Sequence, residues 1–221
     1  MLPLGDENPT RLRPYVNWLL IGACVLVFIW QVASGYSHFV YSLNMYGLVP
    51  ARVLTGDGLY TFLTNIFLHG GWTHLLGNMF FLYIFGDNIE DACGHLRYLT
   101  FYLACGLAAS ALWTLTAWGS PYPAVGASGA ISGVMGAYLV MFPRARIRTL
   151  VSLGFFWRLI RVPAYVMIGL WFIYQFMLAL IPLNTGIAYW AHVGGFAAGI
   201  VLAKVFGPGE RLMPDVRRYY Y

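Results

Sequence analysis

Four residues of the chain have side chains that could together perform acyl transfer. Ser128 lies in GASGAISG, His74 and Asn78 lie in HLLGN, and His192 lies in AHVGG. A serine hydroxyl becomes a nucleophile when a neutral histidine within hydrogen-bond reach takes its proton. Attack on a peptide carbonyl then creates an oxyanion, which needs hydrogen-bond donors that are already in place. The four residues supply both kinds of group if the fold brings them together.

The composition indicates what kind of fold this must be. The 221 residues are 60% hydrophobic and 10% charged, with a mean hydropathy of +0.67. Soluble domains are less apolar and carry roughly 25% charged residues, so we predict an integral membrane protein. Six segments are long and apolar enough to cross a bilayer, with approximate limits 16–34, 72–89, 98–118, 125–143, 162–182 and 187–206.

The spans predict a single all-α polytopic bundle that covers residues 1–221. Long apolar runs without two-residue alternation favour helices over a membrane β-barrel, and no linker is long enough to separate a second domain. The segment 35–71 is too long for an ordinary connection and is rich in aromatic residues. We expect this long first loop to lie against the outer membrane interface, and an ordinary folded extracellular loop is the alternative.

The basic residues predict the orientation of the bundle. If the N-terminus is placed in the cytoplasm, Arg52 is the only basic residue on the outer side of the membrane. The other basic residues are then cytoplasmic: Arg11, Arg13, Arg97, Arg144, Arg146, Arg148, Arg158, Arg161, Lys204, Arg211, Arg217 and Arg218. Cytoplasmic loops carry such an excess, so we expect both termini inside, and the net charge of +5 requires no nucleic-acid partner. An anionic-lipid contact at the cluster 144–148 is left open.

This orientation brings the four polar residues to one membrane depth. Spans 2, 4 and 6 begin at the outer face, and His74, Asn78, Ser128 and His192 all lie within their first two turns. At about 1.5 Å per residue, these positions share roughly the first 10 Å of their helices. The amide of Ser128, at a helix start, adds a third donor for an oxyanion. No acidic residue is expected beside His192, which predicts a dyad rather than a triad.

Each of these residues also has a structural interpretation. A histidine or asparagine in a span commonly bonds to a neighbouring helix, and Ser128 is as small as the residues that allow close helix packing. Gly129 and Gly133 form one GxxxG pattern, and Gly195 and Gly199 form another in span 6. If these two faces meet, the helices approach closely enough for serine and histidine to touch. Close packing and catalysis are therefore compatible interpretations.

The motifs resemble those of the rhomboid intramembrane serine proteases. The matching stretches are YGLVPARV, FLHGGWTHLLGNMFFLYIFGDNIED, GASG and AHVGGFAAG, in this order. The resemblance implies six helices around a water-accessible cavity. It also implies that Ser128 is the nucleophile and His192 the general base, with His74 and Asn78 lining the oxyanion hole. No cofactor or metal is expected, and the HExxH zinc motif is absent.

Three further positions match the family pattern as supporting residues. The resemblance implies that Gly126 shapes the turn before the nucleophile and that Glu90 ties the first loop to span 2. His69 matches an upstream histidine with a structural role. Position 132 departs from the pattern, because Ser132 stands where some members carry an aromatic ring that packs on the catalytic histidine. The positioning of His192 is the point that this departure puts in question.

We predict a serine endopeptidase that cleaves single-span membrane proteins, with its active site opening to the outer face. The short chain, the acidic N-terminal leader and the lack of a presequence favour a prokaryotic plasma membrane. One alternative is an inactive rhomboid-like protein that binds membrane clients, although such relatives lack the nucleophile or the base. A transporter or channel is the other, and it would predict paired broken helices or inverted repeats.

Overall fold

A computed structural model describes residues 2–153, 156–181 and 186–207. The helices are α1 (Tyr15–Ala33), α2 (Tyr36–Tyr46), α3 (Pro50–Val53), α4 (Thr61–Thr64), α5 (Trp72–Cys93), α6 (His95–Thr116), α7 (Ser128–Met141), α8 (Ala164–Leu180) and α9 (Tyr189–Phe206). The strands are β1 (Leu2–Asp6), β2 (Arg146–Leu153) and β3 (Phe156–Pro163). Arg211, Arg217 and Arg218, and the last residue of the fifth predicted span, lie outside the described residues.

A long helix occupies each of the six segments that the sequence marks as apolar. The largest differences are that α5 continues to Cys93 instead of ending at 89, that α6 begins at His95 instead of 98, and that α7 begins at Ser128 instead of 125. By length and composition, α1, α6 and α9 could each cross a membrane, whereas α7 and α8 are shorter apolar helices. The protein is therefore mostly helical, and the number of spans stays a prediction.

The long first loop is itself folded into α2, α3 and α4. The guanidinium group of Arg52 donates hydrogen bonds to the carbonyl oxygens of Asn44 and Met45, at the end of α2. Leu48 forms a β-bridge with Ala124, which lies four residues before α7 begins. The loop is thus fastened to the chain segment that leads into Ser128.

The expectation of an all-α fold was wrong, because three strands form an antiparallel sheet in the order β1-β2-β3. Strand β2 alternates in the way a half-buried strand requires. Ile147 and Thr149 are buried, whereas Arg146 and Arg148 are exposed. The same arginines explain why the sequence did not indicate this strand, since their charge was interpreted as a marker of membrane orientation or a contact with anionic lipid. The sheet joins the N-terminus to the connection between α7 and α8.

Helices α7 and α9 pack backbone against backbone. A Cβ atom on Gly195 would overlap the carbonyl oxygen of Gly129, and one on Gly199 would overlap that of Gly133. The two GxxxG faces therefore meet, as the small side chains permit. This contact lies directly behind the first turn of α7 and sets the distance between the outer ends of the two helices.

Candidate active site

Ser128 and His192 form a hydrogen-bonded pair across the contact between α7 and α9. The Oγ atom of Ser128 lies 2.9 Å from Nε2 of His192. Both residues are half-buried, so the hydroxyl is neither sealed in the core nor fully exposed. This is the distance at which a neutral imidazole can take the hydroxyl proton. The structure therefore brings together the two residues that the sequence singled out as nucleophile and base.

The other side of the His192 ring is held by helix α8. Its Nδ1 atom lies 2.8 Å from Oε1 of Gln175, which is only 8% exposed. The ring of Trp171 is 6.2 Å from the imidazole between centroids, and the ring of Tyr189 packs against it edge-on. His192 thus contacts an amide where a serine protease triad has a carboxylate.

Sequence reasoning missed both residues of α8 that face His192. A signal was present, because Gln175 is the one amide in the apolar segment 164–180. A buried amide in a membrane helix needs a partner on a neighbouring helix. Trp171 lies four residues earlier, on the same helical face. What the sequence could not tell was which helix this face would meet.

Ser132 does not take the place of the missing aromatic ring. Its hydroxyl donates a hydrogen bond of 2.6 Å to the carbonyl oxygen of Ser128, and its side chain is buried within α7. Aromatic contacts to His192 come instead from Trp171 on α8 and from Tyr189 on α9. Position 132 therefore lacks the aromatic ring that some family members carry there, and other helices supply the ring contacts to His192.

His74 and Asn78 project from α5 towards the turn that precedes α7. Nδ1 of His74 accepts a hydrogen bond from the N–H of Gly70, which leaves Nε2 of the neutral ring as a donor. Nδ2 of Asn78 is buried and has no hydrogen-bond partner among the described residues. A Cβ atom on Gly126 would lie 2.7 Å from Nε2 of His74 and 3.5 Å from Nδ2 of Asn78. Two donors therefore converge on the backbone just before Ser128.

The backbone of this turn is fixed in a conformation that favours glycine. Gly126 has a φ of +129°, and its N–H donates to the carbonyl oxygen of Asn65 over 2.9 Å. Ser128 is the first residue of α7, where amide groups have no acceptor within the helix. The amide of Ser128 is thus a third donor at the same place.

His69 and Glu90 lie in different surroundings. The fully buried ring of His69 packs edge-on against His74, with centroids 5.3 Å apart. The carboxylate of Glu90 accepts hydrogen bonds from the N–H groups of Val16 and Asn17, at 2.9 and 2.7 Å. The expectation that Glu90 ties down the first loop is therefore corrected. It holds the start of α1, whose first amides need an external acceptor.

The described residues contain no group of three histidine, cysteine, aspartate or glutamate side chains that could hold a metal ion. The functional groups that do converge are a hydroxyl, an imidazole and several N–H donors. Such a set can transfer protons and stabilise negative charge, which are the two requirements of acyl transfer.

Comparison with known proteins identifies the family of the chain. The Rhomboid domain family matches residues 56–209. The chain is 30% identical over 210 residues to Rhomboid protease GluP of Bacillus subtilis (strain 168), covering 92% of this chain and 38% of GluP. It is 32% identical over 213 residues to RHOMBOID-like protein 12, mitochondrial, of Arabidopsis thaliana, covering 87% and 59%. The chain thus spans less than two thirds of either relative. It is an integral membrane protein that belongs to the rhomboid family.

Proposed function

We propose that the protein is an intramembrane serine endopeptidase that hydrolyses peptide bonds in or near the transmembrane segments of single-span membrane proteins. The observation that carries this proposal is the 2.9 Å contact between Oγ of Ser128 and Nε2 of His192. The unpartnered donor of Asn78 beside Gly126 supports it, because an oxyanion would give that donor an acceptor. GluP is named a rhomboid protease, which favours the same reaction class.

In the proposed reaction, Oγ of Ser128 attacks the peptide carbonyl carbon while its proton passes to Nε2 of His192. The resulting oxyanion accepts hydrogen bonds from His74, Asn78 and the amide of Ser128. As the C–N bond breaks, His192 returns the proton to the leaving amine. Water then attacks the acyl-enzyme with His192 as base, which releases the carboxylic acid and restores the serine. No cofactor or metal takes part.

We further propose that α1, α5, α6, α7, α8 and α9 are the six spans and that both termini are cytoplasmic. The excess of basic residues on one side supports this orientation. The sheet supports it too, because β1 pairs with β2 and so sets the N-terminus beside the α7–α8 connection. In this orientation, Ser128 opens to the outer face of what we propose to be a prokaryotic plasma membrane.

The test is cleavage of a fluorescent single-span substrate by the purified protein in detergent. We expect Ser128→Ala and His192→Ala to abolish cleavage and Ser132→Ala to retain most of it. Equal cleavage by the wild type and Ser128→Ala would contradict the proposal. If the wild type cleaves none of several substrates but still binds them, the protein is a client-binding member of the family without protease activity.

A second experiment tests the oxyanion hole. Asn78→Ala removes a donor aimed at the developing charge, and such losses lower kcat about 100- to 1,000-fold. We expect KM and the thermal unfolding midpoint to change little. Leu76→Ala is the matched control, since Leu76 lies on the same helix and is 63% exposed. Equal kcat values for the two variants would remove Asn78 from the mechanism.

A further inference from the structure

Gln175 is unusual in its helix and in its contact. It is buried on α8, a helix that otherwise carries apolar side chains, glycine and two tyrosines. Its Oε1 atom lies 2.8 Å from Nδ1 of His192, on the side of the ring away from Ser128. Burying an amide costs free energy unless it is hydrogen-bonded, so this contact accounts for its presence.

The contact determines which imidazole nitrogen carries the proton. An amide oxygen has no hydrogen and can only accept, so Nδ1 must be the protonated nitrogen of His192. A neutral imidazole has one N–H, which leaves a lone pair on Nε2. That lone pair faces the hydroxyl of Ser128 at 2.9 Å. The tautomer favoured by Gln175 is therefore the one that can act as a base.

Gln175 also stabilises the ring after proton transfer. When His192 takes the serine proton, Nδ1–H becomes more acidic, and the amide oxygen accepts a stronger, charge-assisted hydrogen bond. Because the amide is neutral, it does this without a second buried charge. The ring of Trp171, one turn away on α8, flanks the same imidazole at 6.2 Å between centroids.

We propose that Gln175 is the positioning residue of His192, whose Oε1 accepts the Nδ1–H hydrogen bond and so keeps Nε2 available for the proton of Ser128. This role rests on the proposed protease function. It makes the unit a serine, a histidine and a glutamine contributed by α7, α9 and α8. Gln175 does not touch the substrate, and it acts only through the histidine.

The test compares Gln175→Leu, Gln175→Glu and Tyr174→Leu. Leucine removes the acceptor, and we expect kcat to fall about 10- to 100-fold with little change in KM, since a histidine base contributes about that much or more. Glutamate keeps an acceptor, so it should retain more activity than leucine. Tyr174→Leu is the matched control, because Tyr174 is 61% exposed on the same helix.

The pH profile separates positioning from a merely structural role. Within the described part of the chain, the ionisable groups around His192 are Tyr189 of α9, in ring contact, and His74 of α5, which acts on it electrostatically. Ser128 and Gln175 face it from α7 and α8. The carboxylate of Gln175→Glu should stabilise imidazolium and move the acidic limb of kcat/KM to higher pH. An unshifted limb together with a wild-type rate for Gln175→Leu would overturn the proposal.

A tautomer measurement decides the question without any cleavage assay. Nitrogen NMR of protein labelled at its five histidines, with His192→Gln used to assign the signal, should show Nδ1 protonated in the wild type. In Gln175→Leu, or in Gln175→Met if the leucine variant does not fold, the signal should become a mixture of tautomers. An unchanged tautomer overturns the role of Gln175. If the wild type cleaves nothing but the tautomer shifts, the protease proposal fails and the Gln175 contact stands.

Discussion

Helix α9 is held on its two sides by different kinds of contact. Towards α7 it presents glycines, and the two backbones touch where Gly195 meets Gly129. Towards α8 it presents side chains, with the ring of Phe172 stacked on Phe196 at 4.1 Å. The first contact sets how closely Ser128 approaches the histidine. The second sets how the imidazole is turned, so distance and orientation are controlled by separate interfaces.

Of the two interfaces of α9, the glycine contact is expected to give the larger effect, and a single added methyl group tests it. Alanine favours a helix over glycine by about 1 kcal/mol, so Gly195→Ala would be neutral or stabilising if space were available. Its Cβ would instead overlap the carbonyl oxygen of Gly129. We expect the helices to separate, the cleavage rate to fall about 100-fold, and the unfolding midpoint to drop. Cleavage kinetics measure the change in rate, and thermal unfolding in detergent measures the change in midpoint.

Gly169→Ala provides the control for this variant. A Cβ atom on Gly169, in α8, would meet no atom within 4 Å. The same substitution should therefore leave the cleavage rate unchanged and raise the unfolding midpoint slightly. If Gly195→Ala behaved like Gly169→Ala, the close approach of α7 and α9 would not control the serine–histidine distance.

The glycine interface could be predicted from the sequence, whereas the side-chain interface could not. Small residues at spacing four mark a face whatever its partner is, so the α7–α9 contact follows from two local patterns. The Gln175–His192 bond depends on how α8 is rotated and on which helix lies beside it, and neither is a local property. The same limit explains the wrong expectation for Glu90. Its motif placed it on α5, but no local pattern could indicate that its carboxylate would contact the start of α1 instead of the first loop.

The next largest effect concerns the side-chain interface. Phe172→Ala removes the ring stacked on Phe196, and aromatic pairs of this kind are worth about 0.5–1.5 kcal/mol. We expect α8 to hold Gln175 against His192 less firmly, so kcat should fall about 10-fold. The unfolding midpoint should drop less than in Gly195→Ala. Tyr174→Ala, on the exposed side of α8, should change neither quantity.

If the unfolding midpoint of Phe172→Ala fell as far as that of Gly195→Ala, this result would contradict the division between the two interfaces. It would mean that α8 supports the bundle as strongly as α7 does. If Phe172→Ala raised KM and left kcat unchanged, the result would point instead to a role of α8 in substrate binding.

The smallest effect on catalysis is expected at the other end of α7. Asp6 of β1 accepts a hydrogen bond of 2.6 Å from the hydroxyl of Tyr138, about 15 Å along α7 from Ser128. Burial raises the pKa of Asp6 from 3.8 to about 6. The folded protein therefore holds this proton more tightly than the unfolded chain does. The resulting stabilisation is complete below about pH 4 and is lost as the pH rises through about 6.

Asp6→Asn cannot ionise, so its unfolding midpoint should fall less than that of the wild type between pH 5 and pH 7.5. Asp57→Asn, at an exposed position in the first loop, should follow the wild type. Because Asp6 contacts α7 about 15 Å along the helix from Ser128, the cleavage rate of Asp6→Asn at a fixed pH should stay within about twofold of the wild type. A larger loss would show that the sheet, too, controls the serine–histidine pair, and the two-interface description would need a third contact.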